Sequence, residues 1–170
     1  MSEQIRAAVE TDVAAMTGLA ARRREQYARY QPVFWQPAPD ALDKHRPYLA
    51  GLVADGQVIT MVSEEDGQLT GFLIATLVAA PPVYDPGGLT CQIDDFTVAA
   101  DENWSTTGSA LLRAAMAEAA RRGAVQAVVV TAHLDHPKRE ALRCCGLEIA
   151  SEWWVTAHLE AEPPRPHLPR

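Results

Sequence analysis

The stretch Ile93-Asp94-Asp95-Phe96-Thr97-Val98, then Ala99 to Thr107, then Gly108-Ser109-Ala110-Leu111-Leu112, carries the decisive pattern of this chain. A β-rich run stops at Val98, a short polar loop turns, and an amphipathic helix begins. The first turn of such a helix leaves backbone N–H groups without intrahelical partners. With the helix dipole they form an anion site suited to a pyrophosphate. Gly108 would let a phosphate approach the backbone closely, and Ser105, Thr106, Thr107 and Ser109 could add hydroxyl donors. The same residues also read as a capped helix with one small residue where it packs on a sheet. Asp94 and Asp95 are candidate general bases. As neighbours on a regular strand they point to opposite faces, so only one can face a given cleft. Each also reads as a hydrogen-bonded or edge carboxylate.

Upstream, Gln4 to Val9 reads as a short strand, with Thr11 as helix N-cap and Asp12 placing negative charge at the helix start. Val13, Met16, Leu19 and Ala20 recur at helical spacing toward Tyr27. Prolines at 32, 37 and 39 break the pattern, Asp40 can cap a further helical stretch, and Pro47 is expected to start a new helix ending at Gly56. Val58 to Ser63 and Leu69 to Val78 flank Asp66-Gly67, a hairpin signal. After a Pro/Gly-rich loop at 80–88, Leu89 to Val98 returns as the third strand of an antiparallel meander. Downstream, the helix from about Ser105 to Arg122 stops at Gly123. Val125 to Thr131 is so apolar that it predicts a strand buried on both faces. A short helix opens at Pro137 and ends before Gly146, and Leu147 to Leu159 is expected to hold a final strand. The order predicts a mixed α/β fold of α+β type: one central mixed sheet, its first strands antiparallel, with helices on both faces. It forms a single domain over residues 1–159, followed by a Pro-rich flexible tail at 160–170.

Composition narrows the function. The chain has 170 residues, 48% hydrophobic and 22% charged, enough for one ordinary domain with a real core. Fifteen Lys and Arg against 22 Asp and Glu give a net charge of -7. That argues against a nucleic-acid partner, because counterion release needs a basic surface, and suits a cationic or polar small substrate. No apolar run approaches the about 20 residues of a membrane span, and the N-terminus lacks the features of a secretion signal. Cys91, Cys144 and Cys145 are odd in number with two adjacent, which fits a reducing, cytoplasmic compartment. No His/Cys cluster has zinc spacing, so no metal is expected.

With these elements in place, the chain resembles the GNAT superfamily of acyl-CoA-dependent N-acyltransferases over roughly Ile5 to Val155. Ile93-Asp94-Asp95-Phe96-Thr97-Val98 is similar to the family's fourth strand, Gly108-Ser109-Ala110-Leu111-Leu112 to its pyrophosphate-binding helix, and Gly71-Phe72-Leu73-Ile74-Ala75 to its third strand. Leu142-Arg143-Cys144-Cys145-Gly146-Leu147 resembles the family's Tyr-x-x-x-Gly-Phe. The family's phosphate loop, Gln/Arg-x-x-Gly-x-Gly/Ala, falls here on Asn103, Thr106 and Gly108, so only the last glycine is retained. The family Asn of the late helix falls on Asp135, and the Tyr that commonly protonates the leaving thiolate falls on Leu142. The resemblance implies acetyl-CoA as cosubstrate and direct attack by a primary amine of a small molecule or protein. It implies that backbone at Phe96 to Val98 pairs with the pantetheine arm, and that Asn103, Trp104, Thr106, Thr107, Gly108 and Ser109 surround the cofactor. Asp95 or Asp94 would take the proton. The degenerate loop and missing Tyr leave open an alternative, a weak or inactive CoA-binding or regulatory module, and a homodimer is an option.

The remaining candidates rest on chemistry and position. Tyr30, Phe34 and Trp35 are three aromatics within six residues, in a Pro-stiffened loop that the resemblance places near the amine. They read as an acceptor wall or as a plug between the first helices and the sheet. Cys144 and Cys145 stand at the wrong helix end for thiolate activation and read as small packing residues. His133 and His136 could act as acid or base, or simply occupy a surface loop. Trp104 could stack on adenine or pack on its own scaffold. Arg22-Arg23-Arg24 reads as a solvated face rather than a phosphate patch.

Overall fold

The computed structural model describes residues 3–157. Strands β1 (Gln4–Ala7), β2 (Ile59–Glu65), β3 (Gln68–Val78), β4 (Leu89–Val98) and β5 (Ala124–Val129) form one sheet in that spatial order. β1 to β4 are mutually antiparallel, and β5 joins β4 in parallel. Helices α1 (Val13–Tyr30) and α2 (Ala41–Ala54) cover one face, while α3 (Thr107–Arg121) and α4 (His136–Cys144) cover the other. This is the expected mixed sheet with antiparallel first strands. The β2–β3 hairpin turns at Asp66-Gly67, both with positive φ (51° and 78°), the conformation that Asp-Gly tolerates and that matches strand twist.

Periodicity explains the two cores. Met16, Leu19 and Ala20 of α1 meet Leu49 of α2 and Val62, Phe72 and Ile74 of the sheet. Leu111, Leu112, Ala115 and Ala119 of α3, with Ala141 and Leu142 of α4, pack on Leu73, Ile93, Phe96 and Val98. Each fully buried large apolar side chain stabilises the fold by about 2 kcal/mol.

Four expectations are corrected. First, α2 is one helix that runs through Pro47, which sits within it at the loss of one N–H donor. Second, Val125 and Val128 are 54% and 45% exposed, because β5 pairs only with β4 among the described residues and α3 covers one of its faces. An apolar run thus became an edge strand. Third, no strand forms over 147–157: a run becomes a strand only when a neighbouring strand takes its N–H and C=O groups, and none of those described does. Trp153 and Trp154 stand 82% and 90% exposed. Fourth, α1 is preceded by a 3-10 turn, Glu10–Asp12, which makes Asp12 rather than Thr11 the residue at the helix start. The tail at 160–170 lies outside the described residues. No helix among the described residues is long and apolar enough to cross a membrane.

Asp12 illustrates how the first strand is fixed. Its carboxylate accepts from the Val9 backbone N–H (2.8 Å) and from both Arg6 Nη atoms (2.6 and 2.9 Å), while Arg6 also donates to Glu64 on β2. The Arg6 hydrogen bonds hold the Asp12 carboxyl below its usual range, against the opposing effect of burial. A depressed carboxylate contributes stability above its unfolded pKa, about 3.9, and loses it as pH falls through the folded value. Asp12→Asn is therefore expected to lower stability at neutral pH by about 2 kcal/mol and to flatten the acid limb below pH ~4. Denaturation midpoints across pH check this; an acid limb unchanged by the substitution contradicts it.

Candidate active site

The site is built where β4 leaves β5. The parallel ladder runs to Ile93↔Val129, and Val130 N–H donates to Ile93 O at 3.1 Å. Beyond that point Asp94 to Val98 have no strand partner on this side among the described residues, where Lys138 Nζ takes the Phe96 carbonyl, while the other edge stays paired with β3 as far as Gly71↔Val98. Leu73 pairs with Phe96 and Ala75 with Ile93, so Asp94 and Asp95 together face Ile74. This is a bulge, which bends a strand and re-aims its side chains. The bulge replaces the strict alternation assumed for these two carboxylates.

The two differ in surroundings. Asp94 is exposed and accepts only from Gln92 Nε2 (3.1 and 3.3 Å) among the described residues. Asp95 is half-buried, and its Oδ2 lies 3.1 Å from His45 Nε2 on α2. His45 Nδ1 is 2.7 Å from Arg24 Nη2. A guanidinium only donates, so Nδ1 accepts from it and the ring proton sits on Nε2, directed at Asp95. His45 escaped the sequence reading, since a single His on a helix carries no spacing signal, and Arg24 enters it only as part of a solvated run.

The loop after β4 forms a second 3-10 turn, Asp101–Trp104. Trp104 is 1% exposed and meets Phe96 edge-on at 4.8 Å, so it packs on its own scaffold. A Cβ at Gly108 would come 2.5 Å from Trp104 Cε3. Gly108 is thus required by the indole, whatever its relation to phosphate. Thr107 and Ser109 are buried, with Ser109 Oγ donating to Trp104 O at 3.3 Å, while Ser105 and Thr106 are exposed and Asn103 is half-exposed. Thr106 supplies no side-chain cap, and the first turn of α3 contains no acidic residue. Trp104 Nε1 is buried with no partner among the described residues. An uncapped helix N-terminus, an orphan N–H and the free edge at Phe96 and Val98 fit a polyanionic thioester such as acetyl-CoA.

A buried polar cluster crosses the gap between β4 and β5. Asp135, fully buried at the N-cap of α4, accepts from Arg23 Nη1 (3.1 Å) and from Tyr27 OH (2.8 Å), both on α1. Arg23 also donates to Thr97 Oγ1 (3.1 Å), Gln26 Oε1 (2.7 Å) and Asp101 Oδ1 (3.3 Å). The arginine run is therefore solvated only in part: Arg22 is exposed, but Arg23 is pulled inward by a buried carboxylate. Burial, reinforced by Asp135, raises the Tyr27 phenol above its usual range. Lys138 Nζ donates to Phe96 O (3.1 Å) and Val130 O (3.0 Å), one carbonyl on each side of the gap. Its ammonium lies 5.1 Å from the Phe96 ring centroid and 5.4 Å from that of Trp104. Burial pulls its pKa down to about 7, with Asp135 opposing.

Tyr30, Phe34 and Trp35 come together with Tyr27 in an aromatic cluster. Tyr27–Trp35 centroids are 5.0 Å apart, Tyr27–Tyr30 6.0 Å and Phe34–Trp35 4.7 Å. Trp153, at 5.9 Å from Phe34, extends it from the far end of the chain. Gln26 Nε2 donates to Tyr30 OH (2.7 Å) and Asp101 Oδ2 (3.0 Å), so the cluster reaches the gap through Gln26 and Tyr27, whereas Asp95 meets α2. Among the remaining candidates, His133 and His136 are exposed loop and helix-end residues, and Cys144 is exposed rather than a packing residue. Cys91 is buried, which raises its thiol pKa. No metal-binding cluster is found among the described residues.

No protein-family model and no curated protein matches the chain. Solved structures do. A predicted acetyltransferase from Clostridium acetobutylicum with acetyl-CoA superposes with a TM-score of 0.71 at 17% identity, over 91% of this chain and 96% of that one. An aminoglycoside N-acetyltransferase in complex with CoA gives 0.68 at 13% identity, over 91% and 93%. Glucosamine-6-phosphate N-acetyltransferase from Arabidopsis thaliana gives 0.66 at 12% identity, over 92% and 98%. The chain therefore has the fold of acetyl-CoA-dependent N-acetyltransferases. That is the GNAT fold which the sequence resemblance implied.

Proposed function

We propose that this chain is an acyl-CoA-dependent N-acyltransferase moving an acetyl group from acetyl-CoA to a primary amine of a small molecule or protein. The observation that carries it is the free edge of β4 beside the uncapped start of α3, with the Asp95 bulge at the point of divergence. Backbone at Phe96 and Val98 would pair with the pantetheine amides. The N–H groups of Thr107, Gly108 and Ser109 would face the pyrophosphate, with Asn103 and Thr106 alongside and Trp104 as the wall beneath. Asp95, held by His45, would take the proton from the attacking amine, with Asp94 as the alternative base. The net charge of -7 favours a cationic acceptor. Free thiols are consistent with a reducing, cytoplasmic setting.

Thiol release from acetyl-CoA with an amine panel tests the reading. Asp95→Asn is expected to lower kcat about 10²-fold or more, while Cys144→Ser with Cys145→Ser retains most activity; the reverse pattern overturns the assignment. Trp35→Ala is expected to raise the acceptor KM at least several-fold more than the acetyl-CoA KM, as for a wall of the amine site. Equal changes in both would place Trp35 in the scaffold. One observation favours the weak or inactive module instead: Asp135 joins α1 to α4 across the gap through its contacts with Arg23 and Tyr27. Binding of acetyl-CoA without turnover of any amine would select it.

A further inference from the structure

Thioester aminolysis needs a proton for the departing sulfur, because a thiolate leaves more readily when it is protonated or charge-paired as the bond breaks. Asp94 and Asp95 are suited to accept a proton, not to give one. Cys144 is exposed on the last turn of α4, and Leu142 has nothing to donate. The group at the point of divergence is Lys138. Its Nζ bonds Phe96 O on β4 and Val130 O just past β5. The last ladder hydrogen bond, Val130 N–H to Ile93 O, lies directly beside it. Lys138 is buried, 1% exposed, so a ligand chain that enters the gap along Phe96 to Val98 meets this nitrogen at the Phe96 carbonyl it now holds. An ammonium has three N–H donors and two acceptors are met here, so one remains for a ligand.

We propose that Lys138 is the proton donor to the departing thiol, a role that rests on the acyltransferase reading above. The amine nitrogen bonds to the thioester carbon, the C–S bond breaks with its electron pair on sulfur, and sulfur takes a proton from Lys138 Nζ. The proton lost by the amine goes to Asp95, and water restores the Lys138 ammonium before the next cycle. The electrostatic setting supports this. Desolvation, with Arg23 on α1 in support, lowers the Lys138 pKa, Asp135 on α4 with Asp95 and Asp94 on β4 raises it, and the balance is about 7. At neutral pH an acid of that strength is about half in the ammonium form, and that form gives up its proton readily.

The test follows the thiol of bound CoA as well as turnover. In the parent protein the ultraviolet thiolate absorbance of bound CoA is expected to appear at lower pH than in free CoA, because the ammonium stabilises the anion. Lys138→Met should abolish this shift and lower kcat with acetyl-CoA about 10²-fold or more. Its acetyl-CoA KM should stay within about threefold. The alkaline fall in kcat, set by loss of the lysine proton, should vanish in Lys138→Met and move upward in Lys138→Arg. Calorimetry with CoA shows whether Lys138→Met is folded; if it is not, Lys138→Arg alone decides through the position of the alkaline limb. An unshifted CoA thiol in the parent, or a thiol titration and kcat that Lys138→Met leaves unchanged, overturns the proposal while the acyltransferase reading stands. A parent that binds CoA with a shifted thiol but turns over no amine refutes the acyltransferase reading and with it the proton-donor role, leaving only a contact between the lysine and the thiol. A parent that binds no CoA overturns both.

Discussion

Asp135→Ala is expected to destabilise the protein by about 3–5 kcal/mol, the cost of removing one partner from a buried ionic group. The carboxylate is fully buried and accepts from Arg23 and Tyr27, and its other oxygen caps α4 through Lys138 N–H at 3.3 Å. Truncation leaves the Arg23 guanidinium, with 10% of its side chain exposed, and the buried Lys138 amine without their shared counter-charge. It also removes the cap of a helix only nine residues long. Asp135→Asn keeps the shape and the Tyr27 hydrogen bond but not the charge, so it should cost less than the alanine variant. Chemical denaturation of both variants checks the order. Equal losses would show that charge alone, with no contribution from shape or the Tyr27 hydrogen bond, holds α1 against α4; a loss below about 1 kcal/mol in Asp135→Ala would remove the cluster from the account of stability.

Gly108→Val is expected to lower stability by about 3 kcal/mol and the melting temperature by about 6–12 °C. Helix propensity alone predicts the opposite sign, since valine is favoured over glycine within a helix by a few tenths of a kcal/mol. The steric term outweighs it. The new Cβ would lie 2.5 Å from Trp104 Cε3, and the indole cannot yield easily, being buried between Phe96, the Arg23 guanidinium (5.1 Å) and Lys138. Trp104→Leu in the same chain should recover part of the loss, a coupling that a double-mutant cycle resolves. A melting temperature that stays level or rises in the single variant would contradict the packing seen here. Weaker acetyl-CoA binding by Gly108→Val is also expected under the proposed function, but only a folded variant can report it. Gly108→Ala, with the smaller intrusion, is the fallback for calorimetry.

Much of the fold was legible because its signals are local. Asp66-Gly67 between two β-rich runs marks a hairpin by backbone chemistry alone. The spacing of Leu111, Leu112, Ala115 and Ala119 marks the buried face of α3, and Gly123, at φ 93°, ends it. Proline at 32, 37 and 39 keeps the segment between α1 and α2 out of helix. The last helix was visible from Pro137, but its cap, Asp135, gained a second role that no local pattern announces.

What the tertiary structure decided are contacts between residues far apart in the chain. Arg23 and Asp135 are 112 residues apart, His45 and Asp95 are 50 apart, and Lys138 reaches Phe96 over 42. Hydrophobic periodicity reports only whether a residue faces core or solvent, so a charged residue on a helix reads as solvated unless its partner is known. Arg23 and Lys138 broke that rule because a buried carboxylate and two free carbonyls met them. Apolarity misled in the other direction: Val125 to Thr131 read as a strand buried on both faces and Leu147 to Leu159 as holding a final strand, but strand formation and burial depend on neighbours that a single segment does not encode. The sequence by itself determined the elements and their order through local backbone and packing preferences. Only the folded chain decided which charges are buried at the gap between β4 and β5, because that depends on pairing across the whole sheet.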